Sequence, residues 1–302
     1  MSFDILQAKI CELQNPTVVG LDPMPDYIPE DIVKKHFAQT GETLEAMAEA
    51  YFEFNCGIID AICDIVPAVK PQSAYYELLG YEGVRALKKT VDYAKSKGMY
   101  VIADVKRNDI GSTAQAYSDA YLGTIKIGGK ELSPFDCDCA TVNAYLGSDG
   151  IMPFIDVCKK HNKSVFALVK TSNPSSGELQ DRMIDGERVY TAVANLMAEI
   201  SKDTIGKEGF SCVGAVVGAT YPEELKFLRE KFANTFFLVP GYGAQGGGAK
   251  DVEDAFQKGG RGAIVNSSRG IICAWKKKGG DFAEAARVEA LVMRDALREV
   301  AF

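Results

Sequence analysis

Short apolar or β-branched runs alternate along the whole chain with segments whose apolar residues recur at helical spacing. The runs are TVVGLDP (17–23), PAVKPQ (67–72), YVIADVKR (100–107), CATVNAY (139–145), SVFALVKTS (164–172), CVGAVVGAT (212–220), FFLVPGYGA (236–244) and GAIVNSSRG (262–270). Amphipathic segments of helical length follow them, among them Tyr76 to Lys97, Glu187 to Lys202, Pro222 to Phe232 and, closing the chain, Phe282 to Val300. Near-continuous apolar strands separated by helices predict βα units and a parallel sheet. Eight units, each strand followed by a helix, are the arithmetic of a (β/α)8 TIM barrel. No Pro/Gly/Ser linker divides the chain, so the expectation is an α/β fold with a single barrel domain over residues 1–302. A doubly wound open sheet is the alternative that periodicity does not separate from it.

Six of the strands run apolar and then end in polar residues: Asp22, Lys70, Asp104 with Lys106, Ser172, Gln245 and Arg269. Barrel enzymes assemble their active sites at these C-terminal ends. The centre is D-V-K-R-N-D, Asp104 to Asp109. Alternation puts Asp104 and Lys106 on one face of the strand, with Val101, Ala103 and Val105 on the other. Lys70 has the same placement on the neighbouring strand, and Asp109 opens the next helix, where a carboxylate suits the positive end of the macrodipole. Lys70, Asp104, Lys106 and Asp109 thus make an alternating set of two ammoniums and two carboxylates. Desolvation drives a lysine toward neutrality, but two neighbouring aspartates are expected to keep Lys106 protonated, as an acid and not a Schiff-base nucleophile. A structural ion-pair network is the competing reading. Buried charge clusters seldom improve on apolar packing, which favours use over mere structure.

The second feature is G-Y-G-A-Q-G-G-G (241–248), after strand 7, followed by N-S-S-R-G (266–270) after strand 8. Glycines let backbone N–H groups approach an anion, and these two loops are the usual phosphate site of a barrel. Gly246 and Gly247 are candidates for that contact, with Arg269 as a bidentate clamp. The same stretch reads G-x-G-x-x-G, but Asn266 and Ser267 stand where a dinucleotide fold needs an acidic residue, and only one further strand follows.

Composition removes several classes. The 302 residues are 47% hydrophobic and 25% charged, which excludes disorder and collagen. Net charge is -7 without a basic block, so nucleic acid is not an expected partner. The longest apolar runs fall far short of the ~20 residues of a membrane span. Eight scattered cysteines without C-x-x-C, and only two histidines, read as reduced thiols of a cytoplasmic protein with no metal site.

Taken together, VGLDP, AVKP, ADVKRNDIGST, TSNPSSGELQD, PGYGAQGG and the final SSRG resemble the orotidine 5′-phosphate decarboxylase family, in order and over nearly the whole chain. Arg107 after the motif lysine is similar to the longer bacterial branch. The resemblance implies metal-free and cofactor-free conversion of orotidine 5′-monophosphate to uridine 5′-monophosphate and CO2. It puts the proton donor to C6 at Lys106 and the charged tetrad at Lys70, Asp104, Lys106 and Asp109, with Asp109 reaching into the partner's site of a homodimer. It implies ribose contacts from Asp22 and Lys70, Thr113 beside Asp109 near the 2′-hydroxyl, and base and phosphate contacts from Ser172, Gln245 and Arg269. Extra length at 24–43, 123–138 and 173–187 leaves three candidates for a lid.

Two other readings remain. A sugar-phosphate aldolase or decarboxylase would need Mg²⁺ on Asp22, Asp104 or Asp109, where two interleaved lysines repel a divalent cation. A catalytically silent phosphate-binding or assembly barrel would gain nothing from holding four charges together.

Overall fold

A computed structural model describes residues 2–243 and 246–302. The apolar runs form eight strands: β1 (Thr17–Leu21), β2 (Ala68–Pro71), β3 (Tyr100–Arg107), β4 (Cys139–Val142), β5 (Ser164–Lys170), β6 (Val213–Val217), β7 (Phe237–Val239) and β8 (Ala263–Ser267). All neighbours are parallel, and the sheet closes in chain order, with Thr17 of β1 opposite Val265 of β8. The closed barrel excludes the open sheet.

Alternation along the strands divides the core in two. Val18, Ala68, Ile102, Phe166, Leu238 and Ile264 point inward and pack together. Val19, Val69, Val101, Ala167, Val239 and Val265 belong to the outer layer under the helices. Strands buried on both faces are why these segments read as unbroken apolar runs. The helix Ser2–Leu13 seals the N-terminal end: Phe3, Leu6 and Ile10 join the inner cluster, and the Phe3 ring lies 4.9 Å from those of Phe166 and Phe236. That end is closed with hydrocarbon, which leaves the opposite mouth for polar chemistry.

Three helices depart from expectation. Tyr76 to Lys97 splits into Ser73–Glu77 and Gly80–Ser96 at Gly80, whose φ of 61° favours glycine. Glu187 and Arg188 pair with Ile184 and Met183 in a two-stranded hairpin, so the next helix is Val189–Ser201. β7 is followed by a six-residue 3₁₀ helix, Lys250–Ala255, which buries only Val252 and Ala255. Arg229, on the helix Pro222–Lys231, fills the gap. Its guanidinium donates to the carbonyls of Ala255, Phe232, Thr235 and Gly262 and stacks 3.8 Å from the Phe237 ring centre. Burial pushes that guanidinium down to about 9.

The extra segments are ordered rim structures. Residues 24–43 carry the helix Glu30–Thr40, 123–138 a hairpin of Ile125–Ile127 with Lys130–Leu132, and 173–187 a 3₁₀ turn, the helix Gly177–Gln180 and the start of the second hairpin. All eight cysteines are free, and no helix among the described residues is long and apolar enough to cross a membrane.

Candidate active site

The inward face of β3 continues from Tyr100 and Ile102 to Asp104, which is 6% exposed. Lys70, on the inward face of β2, donates to Asp104 Oδ2 at 2.5 Å, and Lys106 Nζ donates to Oδ1 at 2.6 Å. One carboxylate is therefore clamped by two ammoniums. Burial pushes Asp104 up, but Lys70 and Lys106 outweigh it and hold the carboxyl well below the usual range. Burial likewise pulls Lys70 down, yet Asp104 and Asp22 prevail and raise it.

The strand is irregular where the lysine sits. Lys106 has φ 46°, a conformation that non-glycine residues seldom adopt, and the pairing of β3 with β4 shifts register between Ala103 and Arg107. Thr141, on the inward face of β4, holds this bulge. Its Oγ1 accepts the N–H groups of Val105 and Lys106 at 3.0 and 2.9 Å and donates to Asp104 Oδ1 at 2.9 Å. Sequence reading missed Thr141, although a polar residue two positions after inward Cys139 is the signal that marks it.

Asp22 follows β1. Gly20 leaves room for Ser268 of the β8 loop, whose hydroxyl oxygen would collide with a Cβ placed there. Desolvation raises the Asp22 carboxyl against the pull of Lys70, and its buried Oδ1 lacks a protein partner. That oxygen is available to a ligand hydroxyl.

A cavity of about 380 Å³ opens at this mouth, a volume suited to a small ligand. Lys70, Asp104 and Lys106, with Thr141, form its polar wall, Leu168, Val216, Leu238 and Pro240 its apolar side, and Thr171, Ser172, Asn173 and Gln180 its remaining wall. Gln180 and Asn173, from the segment 173–187, are further residues that sequence reading did not find. A second cavity of about 580 Å³ is lined by Gly243, Arg269 and Gly270, with Tyr27 and Lys276. Arg269 is exposed there at the start of the short helix Arg269–Ile272. Gly246 has φ 97°, Gly243 donates to the Gly247 carbonyl at 2.8 Å, and Gly247 donates to that of Gly241 at 3.2 Å. Gln245 lies outside the described residues.

The other two site candidates sit apart. Asp109 Oδ1 accepts the N–H of Ile110 at 2.8 Å, and Asp109 does not line the cavity with Lys106. Thr113 is exposed on the helix Gly111–Tyr121. Around them Ile110 is 54% and Leu146 45% exposed, and Leu146 and the Asp109 carbonyl both pack at Gly150. Among the described residues no three His, Cys, Asp or Glu side chains gather in a metal-holding group.

A model of the orotidine 5′-phosphate decarboxylase / HUMPS family matches residues 18–279. The orotidine 5′-phosphate decarboxylase of Rhodopirellula baltica is 45% identical over 281 residues, 93% of this chain and 90% of that one. That of Clostridium perfringens (strain SM101) is 43% identical over 302 residues, 99% of both chains. The solved structure of Leishmania donovani OMP decarboxylase superposes with a TM-score of 0.72 at 29% identity, covering 99% of each chain.

Proposed function

The chain belongs to the orotidine 5′-phosphate decarboxylase / HUMPS family, and from that premise we propose how its barrel mouth carries out the reaction. The protein decarboxylates orotidine 5′-monophosphate to uridine 5′-monophosphate and CO2, the last step of UMP biosynthesis. The observation that carries the mechanism is the clamp of Lys70 and Lys106 on Asp104 at the cavity wall.

When the bond from C6 to the carboxylate breaks, its electron pair stays on C6 and neutral CO2 leaves. No cofactor sink is needed if a fixed ammonium faces that carbon in a site poor in water. Lys106 fills this role: its Nζ is the clamp's exposed member, on a side chain 46% accessible, and it transfers a proton to C6. Lys70 and Thr141 keep Asp104 from drifting, and Asp104 in turn aims Lys106. Leu168, Val216 and Leu238 exclude water from the base. Asp22 and Lys70 receive the ribose, Ser172 the base, and Arg269, with Gln245, Gly246 and Gly247, the phosphate. Binding energy gathered at the phosphate is thereby spent at the reacting carbon.

The working unit is a homodimer of one-domain chains, residues 1–302, with Asp109 and Thr113 serving the partner's site. Support comes from the apolar rim at Ile110 and Leu146, and from the absence of Asp109 from its own chain's cavity. Free thiols suit a cytoplasmic enzyme. The test is the fall in ultraviolet absorbance when purified protein meets orotidine 5′-monophosphate. Turnover that persists in excess chelator supports the reading, and turnover that requires a divalent cation overturns it.

A further inference from the structure

Lys170 ends β5 with a side chain that is 0% exposed, which is costly for an ammonium unless its partner is well placed. Its Nζ donates to Asp181 Oδ1 at 2.7 Å, eleven residues on, and lies 4.2 Å from the ring centre of Tyr221 and 5.7 Å from that of Tyr190. Root and tip of the segment after β5 are thus tied together beneath the rim. The residue before Asp181 points the other way: Gln180 accepts the Thr171 N–H at 2.9 Å through Oε1, returns a bond from Nε2 to Thr171 Oγ1 at 2.7 Å, and lines the cavity. Ser176 Oγ sits 3.0 Å from the Tyr221 hydroxyl, which donates to the Asn173 carbonyl at 3.4 Å. On the far side Gly218 admits Ser172, since a Cβ there would stand 2.8 Å from the Ser172 Cα.

We propose that the ion pair of buried Lys170 with half-buried Asp181 is the anchor that holds Ser172, Asn173 and Gln180 in the cavity wall, which makes Lys170 and Asp181 positioning residues for the pyrimidine end of the substrate. This rests on the reading of the cavity given above. The wall shares its cavity with Lys106, where the reacting carbon lies, whereas Arg269 lines the other cavity, so the anchor governs the base and not the phosphate. An ion pair suits the task because the Lys170 ammonium is wholly buried and Asp181 is its carboxylate partner, while Arg188 reaches the same Asp181 oxygen only at 3.6 Å.

Asp181→Asn is the informative variant, because it keeps the side chain's shape and an oxygen that can accept from Lys170 while deleting the charge; urea denaturation checks that it is folded, and Lys170→Met, which removes the buried ammonium altogether, is the second variant. Uridine 5′-monophosphate and ribose 5-phosphate, which lacks the base, are the two probes. Asp181→Asn is expected to weaken the nucleotide and raise KM by ~10-fold, to change kcat less than KM, and to leave ribose 5-phosphate within about twofold. Lys170→Met with Asp181→Asn together should do no more harm than Lys170→Met alone. Unchanged binding of both probes, or equal weakening of both, would overturn the anchor. The probes need no turnover, so they judge the anchor even if wild-type protein fails to decarboxylate the substrate.

Discussion

Thr141 and Asp104 meet across two strands at 2.9 Å, and the same hydroxyl takes the two backbone N–H groups that the bulge at Lys106 frees. One side chain on β4 therefore fixes both the carboxylate and the backbone beneath the lysine. Thr141→Val keeps the shape and deletes the hydroxyl, which strands buried donors at a cost of about 1–3 kcal/mol. Urea denaturation should show that loss, and kcat should fall more than KM rises, because the lysine's aim is what suffers. A stable variant with wild-type kcat would mean that the bulge is held by other contacts.

The barrel was legible because strands buried on both faces leave runs such as SVFALVK and GAIVNS, and eight of them in order admit few topologies. Asp104, Lys106 and Lys70 were legible as polar residues breaking inward faces that are otherwise apolar. The hairpins at 125–132 and 183–188 were not, since their strands lie on the surface with no inside against which to alternate. The missing helix after β7 was hidden because Arg229, distant in sequence, supplies the contacts a helix would have made. Gln180 and Asp181 lie in a segment without period, so only the fold reveals that one faces the cavity and the other the buried lysine.

Asp104 should leave a signature in acid. Its folded pKa lies below the unfolded value of about 3.9, so its stabilisation is complete above that pH and fades as pH falls through the folded value. Lys70 is raised, so its share is complete below about pH 10 and fades only as pH rises through its folded value. The gap in urea midpoint between wild type and Asp104→Asn should hold from about pH 5 to 9 and narrow below about pH 4. A gap that is flat into strong acid would show that the clamp is not charged.

Arg269→Ala should lower kcat/KM for orotidine 5′-monophosphate by at least ~30-fold, since it removes the cation proposed to meet the phosphate. The nucleoside lacking phosphate should hardly register the change. Equal losses with both substrates would make Arg269 structural.

The shared site is testable by subunit exchange. Lys106→Ala and Asp109→Ala dimers should each be nearly inactive. Mixed and exchanged at random, half the dimers are hybrids, each with one whole and one doubly damaged site, so about a quarter of wild-type activity should return. If mass spectrometry shows hybrids and no activity returns, Asp109 works within its own chain.

Lys106 is the centre of the proposed mechanism, and its Nζ touches Asp104 at the cavity wall without forming part of the apolar core. Single-turnover decarboxylation by Lys106→Ala, with the fold verified by circular dichroism and an unchanged urea transition slope, isolates its contribution. Loss of a preorganised ammonium from the developing carbanion should cost at least ~10³-fold in kcat. A folded Lys106→Ala protein that keeps most of its kcat would contradict the assignment of the proton donor.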